Sequence, residues 1–247
     1  MASSDSDADA DDRRPHAFDT YTEIGVTKMS GPKVFTHPII LAIDQGTTST
    51  RVIKYQLLGF LYKERDGERK DLRPIQSAQH PHKQIHPKPG WVEHDPEEII
   101  ENIIKCYREV GGAFTMAVGI TNQRETIVAW DSETVKPLHN AIVWCDARTA
   151  EIVSRFSEKE KQLVFKKTGM PISTYFSATK MGWLLENSED VQKAAARGTL
   201  RFGTIDSWIV TKLGARRDNN NQELPNIHVT DVTNASRFLL MNIETLE

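Results

Sequence analysis

The stretch IILAIDQGTTSTRVIKY, Ile39 to Tyr55, decides the fold. An apolar run ends in Asp44, a turn of Gly46, Thr47, Thr48 and Ser49 follows, and Arg51 opens a second apolar run. Short apolar runs separated by a Gly-rich turn predict two paired strands. The first strand delivers a carboxylate to its C-terminal edge, beside backbone N–H groups and a row of hydroxyls. That combination suits a phosphate with its Mg²⁺: the N–H groups and hydroxyls donate to phosphate oxygens, and Asp44 faces the hydrated metal. Gly46 allows a close backbone approach. The same residues also fit an ordinary hairpin whose turn is rich in Gly, Thr and Ser, so the rest of the chain has to decide.

The 247 residues hold one large or two small domains, and 38% hydrophobic content is enough for a core. The 31 basic and 34 acidic residues are spread along the chain, with no basic stripe, which argues against nucleic acid as a partner. The two cysteines, Cys106 and Cys145, lack a CxxC spacing, so neither a disulfide framework nor a zinc finger is expected. No apolar run approaches the length of a membrane span. Residues 1–36 carry Asp5, Asp7, Asp9, Asp11 and Asp12 among Ser and Ala, and are expected to form a disordered acidic tail. The tail lacks an apolar signal core, and its acidity argues against a transit peptide, so a reducing, cytoplasmic setting is expected.

Beyond the hairpin, Phe60 to Tyr62 leads into KERDGERKDLRP, Lys63 to Pro74, expected as a solvated excursion returning in a third strand near Gln76 to His80. His80, His82, His86 and His94 match no zinc spacing, and an extended surface loop is expected there. HDPEEIIENIIKCYREVGG predicts a helix, with Asp95 as N-cap, Pro96 at N1, Glu98 closing a capping box, and an isoleucine stripe ended by Gly111 and Gly112. Strands follow at Phe114 to Thr121 and Ile127 to Trp130, with NQRET between them. Arg124 and Glu125, just past a strand end, offer a small polyhydroxy compound both donors and an acceptor, although such a dipeptide also serves in surface ion pairs. A strand from Ala141 delivers Trp144, either as core or as the apolar wall of a polyol pocket. Helices are expected at Thr149 to Glu160, Gln162 to Lys167, Ala178 to Asn187 and Asp190 to Arg197. A strand entering a helix at RFGTIDSWIVTKLG and a polar insertion at Ala215 to Asn226 complete the order. Asn234-Ala235-Ser236 matches a glycosylation sequon and is read as incidental.

The blocks IDQGTTSTR, GWVEHDPEEI, GITNQRET, NAIVWCDARTA, YFSATK, FGTIDSWIVTKL and HVTDVTNASR, in this order between Ile39 and Arg237, closely resemble the glycerol kinases, a branch of the FGGY carbohydrate-kinase family in the actin-like ATPase superfamily. The resemblance implies an α/β fold of the ribonuclease-H-like type, a mixed sheet flanked by helices over residues 37–247, with helical elaborations from about Thr149 closing over a polyol. It implies ATP and glycerol as substrates, Mg²⁺ as cofactor and glycerol 3-phosphate as product. By the same resemblance Thr47, Thr48, Ser49 and Arg51 contact ATP phosphates, Asp44 faces Mg²⁺, and Arg124, Glu125, Trp144 and Tyr175 contact glycerol. Family members are much longer. Their second domain carries the adenosine site and a GDQQA-type segment with the proposed general base, and it has no counterpart before NIETLE, Asn242 to Glu247. The expectation is a truncated gene product lacking the C-terminal FGGY domain and inactive alone, with a catalytically dead polyol- or phosphate-binding module or a sister sugar kinase as the other readings. Self-association into a homo-oligomer is left open.

Overall fold

The computed structural model describes residues 38–57, 72–112, 115–214 and 227–246. They belong to one compact unit, Phe35–Glu247. The expected acidic tail over residues 1–36, nearly all of the charged excursion and the polar insertion at 215–226 lie outside the described residues.

The opening hairpin forms as the sequence predicts. Strand β1, Ile39–Gln45, pairs antiparallel with β2, Ser49–Leu57, and β2 pairs antiparallel with β3, Leu72–Pro81. Strand β5, Thr115–Asn122, lies parallel to β1 on its other side, giving a mixed sheet of order β3-β2-β1-β5. Alternation along β1 and β2 buries Leu41, Ile43 and Val52 against helix α1, Pro96–Glu109, whose Ile99, Ile100, Ile103 and Cys106 form the facing stripe. Asp95 caps α1 by accepting from the Glu97 N–H at 2.8 Å. Glu98 does not close the expected capping box. Its carboxylate accepts from the Lys83 N–H at 3.1 and 3.2 Å, satisfying a loop donor instead.

A second sheet, all antiparallel, has the order β4-β7-β6-β8, with β4 at Glu93–His94, β6 at Ile127–Asp131, β7 at Ala141–Ile142 and β8 at Leu200–Thr204. Every residue of β6 is buried. Val128 and Trp130 face the core shared with β1, β2 and α1, while Ile127 and Ala129 face a second core with Ile142, Leu184 and Val191, so β6 is the partition between two cores.

The helical region differs from the sequence expectation at one point. The helices expected at Thr149 to Glu160 and Gln162 to Lys167 divide elsewhere: α2, Ala150–Ser154, stops early, and α3, Glu158–Thr168, runs through the expected break at Lys161. Ser157 and Glu160 form a complete capping box, so the Ser-x-x-Glu signature starts a new helix rather than continuing the old one. Helices α4, Ser177–Asn187, α5, Glu189–Arg197, and α6, Ile205–Leu213, fall where periodicity places them, and a single turn α7, Val232–Ala235, follows. Asn234 is 4% exposed, and its amide is engaged with Asn122 and Asp231, so the sequon is not presented for modification.

Candidate active site

The two candidate loops issue from the same edge of the mixed sheet. In the parallel pairing of β1 with β5, Asp44 aligns with Thr121 and Gln45 with Asn122, so both strands end at one level. The crevice beyond the carboxyl ends of adjacent parallel strands is where open α/β sheets hold ligands. The Gln123 N–H donates to the Gln45 carbonyl at 2.7 Å, which fastens the start of the NQRET turn to the end of β1.

At the end of β1, the Gly46 N–H donates to the Ser49 carbonyl at 2.9 Å and closes the turn. Thr48 is exposed, and the Ser49 hydroxyl accepts from Gln79 Nε2 at 2.7 Å. Asp44 and Arg51 stand opposite each other in the hairpin register and form an ion pair at 2.6 Å, with their side chains 36% and 45% exposed. Both groups are therefore held at the mouth of the loop and remain open to solvent.

The NQRET side is assembled from four separate parts of the chain, around Glu125, Trp144, Tyr175 and Arg237. Glu125 has φ of 63°, a left-handed conformation that disfavours a non-glycine residue, and it is only 2% exposed. Strain at a buried acid beside a strand end marks a constrained site rather than a surface pair. Its carboxylate pairs with Arg237, and its carbonyl accepts from the Ser177 hydroxyl at 3.0 Å. The Arg237 guanidinium lies 5.6 Å from the Tyr175 ring centre and 5.0 Å from that of Phe176. Tyr175 packs on Trp144 at 5.4 Å between centroids, and Trp144 Nε1 donates to Thr47 Oγ1 at 2.9 Å. Glu125, Arg237, Tyr175, Trp144 and Thr47 thus form one chain of contacts, with Arg237 as the link to Glu125. Arg124 is exposed and pairs with no other described residue, so the surface ion pair open to it in the sequence is not formed among them.

Beneath both loops runs a buried polar network. Gln123 Nε2 donates to Gln45 Oε1 at 3.1 Å and to the Gly46 carbonyl at 3.2 Å, and meets His94 Nδ1 at 3.2 Å. His94 Nε2 meets Gln84 Oε1 at 2.9 Å, and Gln84 Nε2 donates to the Thr47 carbonyl at 3.0 Å, where His82 Nε2 also arrives at 2.8 Å. His82 and His94 are 6% and 0% exposed, their rings 4.5 Å apart. The surface loop expected for the four histidines is therefore corrected: two of them support the turn after β1, because its carbonyls need donors where water is excluded. Burial, with the charge of neighbouring His82 and His86, pushes His94 down to about 3. Unfolded His94 takes up a proton near 6.5 and folded His94 only near 3, so the unfolded chain binds more protons across that window and stability falls as pH drops below about 6.5. About 2 kcal/mol is expected to disappear between pH 7 and pH 5, read by urea unfolding, and His94→Gln should flatten that slope.

Sequence reading missed Arg237 and Lys180. Lys180 is fully buried and donates to the Thr174 and Tyr175 carbonyls at 2.7 Å each, holding the turn that presents Tyr175. Burial pushes it down to about 8, against the nearby negative charges of Asp146 and Glu125. It shares a helix stripe with buried Ser177 and Leu184, a spacing that marks it as inward-facing. Arg237 carries no local signal, because its partner Glu125 is 112 residues away.

A Gly-Thr-Thr-Ser turn and a cluster of acid, arginine and aromatic side chains thus stand together at one edge of the mixed sheet. Residues 39–247 match the FGGY family of carbohydrate kinases, N-terminal domain. The chain belongs to that family. It is 44% identical over 218 residues to the glycerol kinase of Paraburkholderia phytofirmans, covering 84% of this chain and 39% of that protein. The Plasmodium falciparum glycerol kinase structure with ADP superposes with a TM-score of 0.69 at 38% identity, over 85% of this chain and 39% of that one. A xylulose kinase from Lactobacillus acidophilus, at 22% identity and a TM-score of 0.66, shares the fold. The chain thus spans about two fifths of the length of the relatives it matches.

Proposed function

We propose that this chain supplies the phosphate turn and the polyol pocket of an ATP-dependent glycerol kinase, forming glycerol 3-phosphate in the cytoplasm. The observation that supports the reading is the chain of contacts from Glu125 through Arg237, Tyr175 and Trp144 to Thr47, which joins an acid and two aromatics to the Gly-Thr-Thr-Ser turn. Arg124 and Glu125 hold the polyol hydroxyls, Trp144 and Tyr175 cover its carbons, and Thr47, Thr48, Ser49 and Arg51 receive the ATP phosphates. Phosphoryl transfer depends on positioning and charge neutralisation, which these groups provide.

Among the described residues, no cluster of three His, Cys, Asp or Glu side chains would hold a metal by itself. One part-exposed carboxylate, Asp44, fits a hydrated Mg²⁺ carried by ATP phosphates, since that ion keeps several waters and takes few protein ligands. The ion would neutralise phosphate charge. Both carboxylates at the site are tied to arginines, Asp44 to Arg51 and Glu125 to Arg237, so neither is poised to take the hydroxyl proton. We assign the base to the part of the family's length that this chain does not span. Identity of 38% with a glycerol kinase against 22% with a xylulose kinase supports glycerol over a pentulose.

Calorimetric titration tests this reading. Glycerol should bind and xylulose should not; binding of xylulose in preference to glycerol, or of neither, overturns it. Asp44→Asn should weaken Mg²⁺-dependent ATP binding about tenfold, a loss of one charge-assisted contact, and leave the glycerol titration as in wild type.

A further inference from the structure

We propose that Trp144 is a positioning residue that couples the polyol pocket to the phosphate turn, its indole N–H setting the Thr47 hydroxyl as a donor toward phosphate; this rests on the kinase reading above. An indole N–H donates only. When Thr47 Oγ1 accepts it at 2.9 Å, the hydroxyl's own proton is turned away from the indole and left for another acceptor. A hydroxyl that gives its proton to phosphate becomes a better acceptor for the indole, so the two bonds strengthen each other.

Trp144 reaches the same turn by a second route. Its backbone N–H donates to Thr126 Oγ1 at 3.1 Å, and Thr126 Oγ1 donates to Gln123 Oε1 at 2.8 Å. Gln123 Nε2 then donates to Gln45 Oε1 and to the Gly46 carbonyl. Ring and backbone of one residue are thus tied separately to the side chain of Thr47 and to the start of its turn. The same ring packs on Tyr175. A polyol seated on these aromatics restrains the ring that orients Thr47, and phosphate on Thr47 restrains the ring that lines the pocket. Each ligand therefore tightens the other by the same factor.

The test uses the full chain, labelled with ¹⁵N for its five tryptophan indoles. Trp144→Phe, which keeps an aromatic ring and deletes the N–H, identifies the Trp144 signal by its loss. Thr47→Val should then move that signal alone among the remaining indoles. The second readout is the ratio of glycerol Kd values without and with saturating Mg·ATP, expected to be about fivefold in wild type and to fall to about one in both Trp144→Phe and Thr47→Val. A ratio that persists in both variants, or an indole signal unmoved by Thr47→Val, overturns the coupling and leaves the kinase reading intact. A wild-type chain that binds neither ligand overturns both.

Discussion

Glu125→Ala should weaken glycerol binding by ten- to more than a hundredfold, because a hydrogen bond to a charged group contributes about 1.5–3 kcal/mol. The effect is large for a geometric reason. Glu125 is buried, held with positive φ, and already neutralised by Arg237, so its carboxylate is preorganised and needs no reordering when a hydroxyl arrives. Removing it also leaves the Arg237 charge without its partner. Glu125→Gln, which keeps the shape and one acceptor oxygen, should fall between wild type and alanine. Calorimetry checks both variants, with thermal melting run alongside. Affinity of Glu125→Ala within threefold of wild type would remove Glu125 from the pocket.

The largest loss of stability is expected from Arg148→Ala, about 3–5 kcal/mol, which for a chain of this size lowers the melting temperature by roughly 6–20 °C. The Arg148 side chain is fully buried between two acids, 2.7 Å from Glu93 and 2.9 Å from Asp146. Its guanidinium sits in the corner of two perpendicular tryptophan rings, 3.9 Å from the Trp91 ring centre and 4.7 Å from that of Trp183. Asp146 also accepts from the Val92 N–H at 2.6 Å, so the ion group ties the start of β4 to the turn that carries Trp144. Truncation strands two buried carboxylates. The triple change Arg148→Met, Glu93→Gln, Asp146→Asn removes all three charges together and should recover much of the loss, since burying no charge costs less than burying an unpaired one. Urea unfolding of the set reads the difference; equal destabilisation in the triple variant would show that packing against the tryptophans, and not charge, accounts for the effect.

Strands and helices with strong local periodicity were legible from the residues. The hairpin at Ile39 to Tyr55, the isoleucine stripe of α1 and the strand of Ile127 to Trp130 each carry their pattern within a few turns of chain. The division between α2 and α3 is written in the capping box of Ser157 and Glu160, but good helix formers on both sides mask it. The shortness of β7 was not legible: the chain turns after Ile142, with the Asp146 N–H donating to the Val143 carbonyl at 3.0 Å, because Asp146 is drawn into the Arg148 ion group. That turn removes Trp144 from the strand and aims its indole at Thr47.

The sequence alone determined which residue types stand at the two loops: an acid, a glycine and hydroxyls after one strand, an Arg-Glu pair after another. These are local facts, set by neighbours in the chain. Only the tertiary structure decided that the loops share one sheet edge, that Glu125 is buried on Arg237, that Trp144 bridges to Thr47, and that His82 and His94 are internal supports. Each of those depends on contacts between residues far apart in sequence, such as the 97 positions between Thr47 and Trp144, which the packing of β1 against β5 and of β6 between two cores brings together.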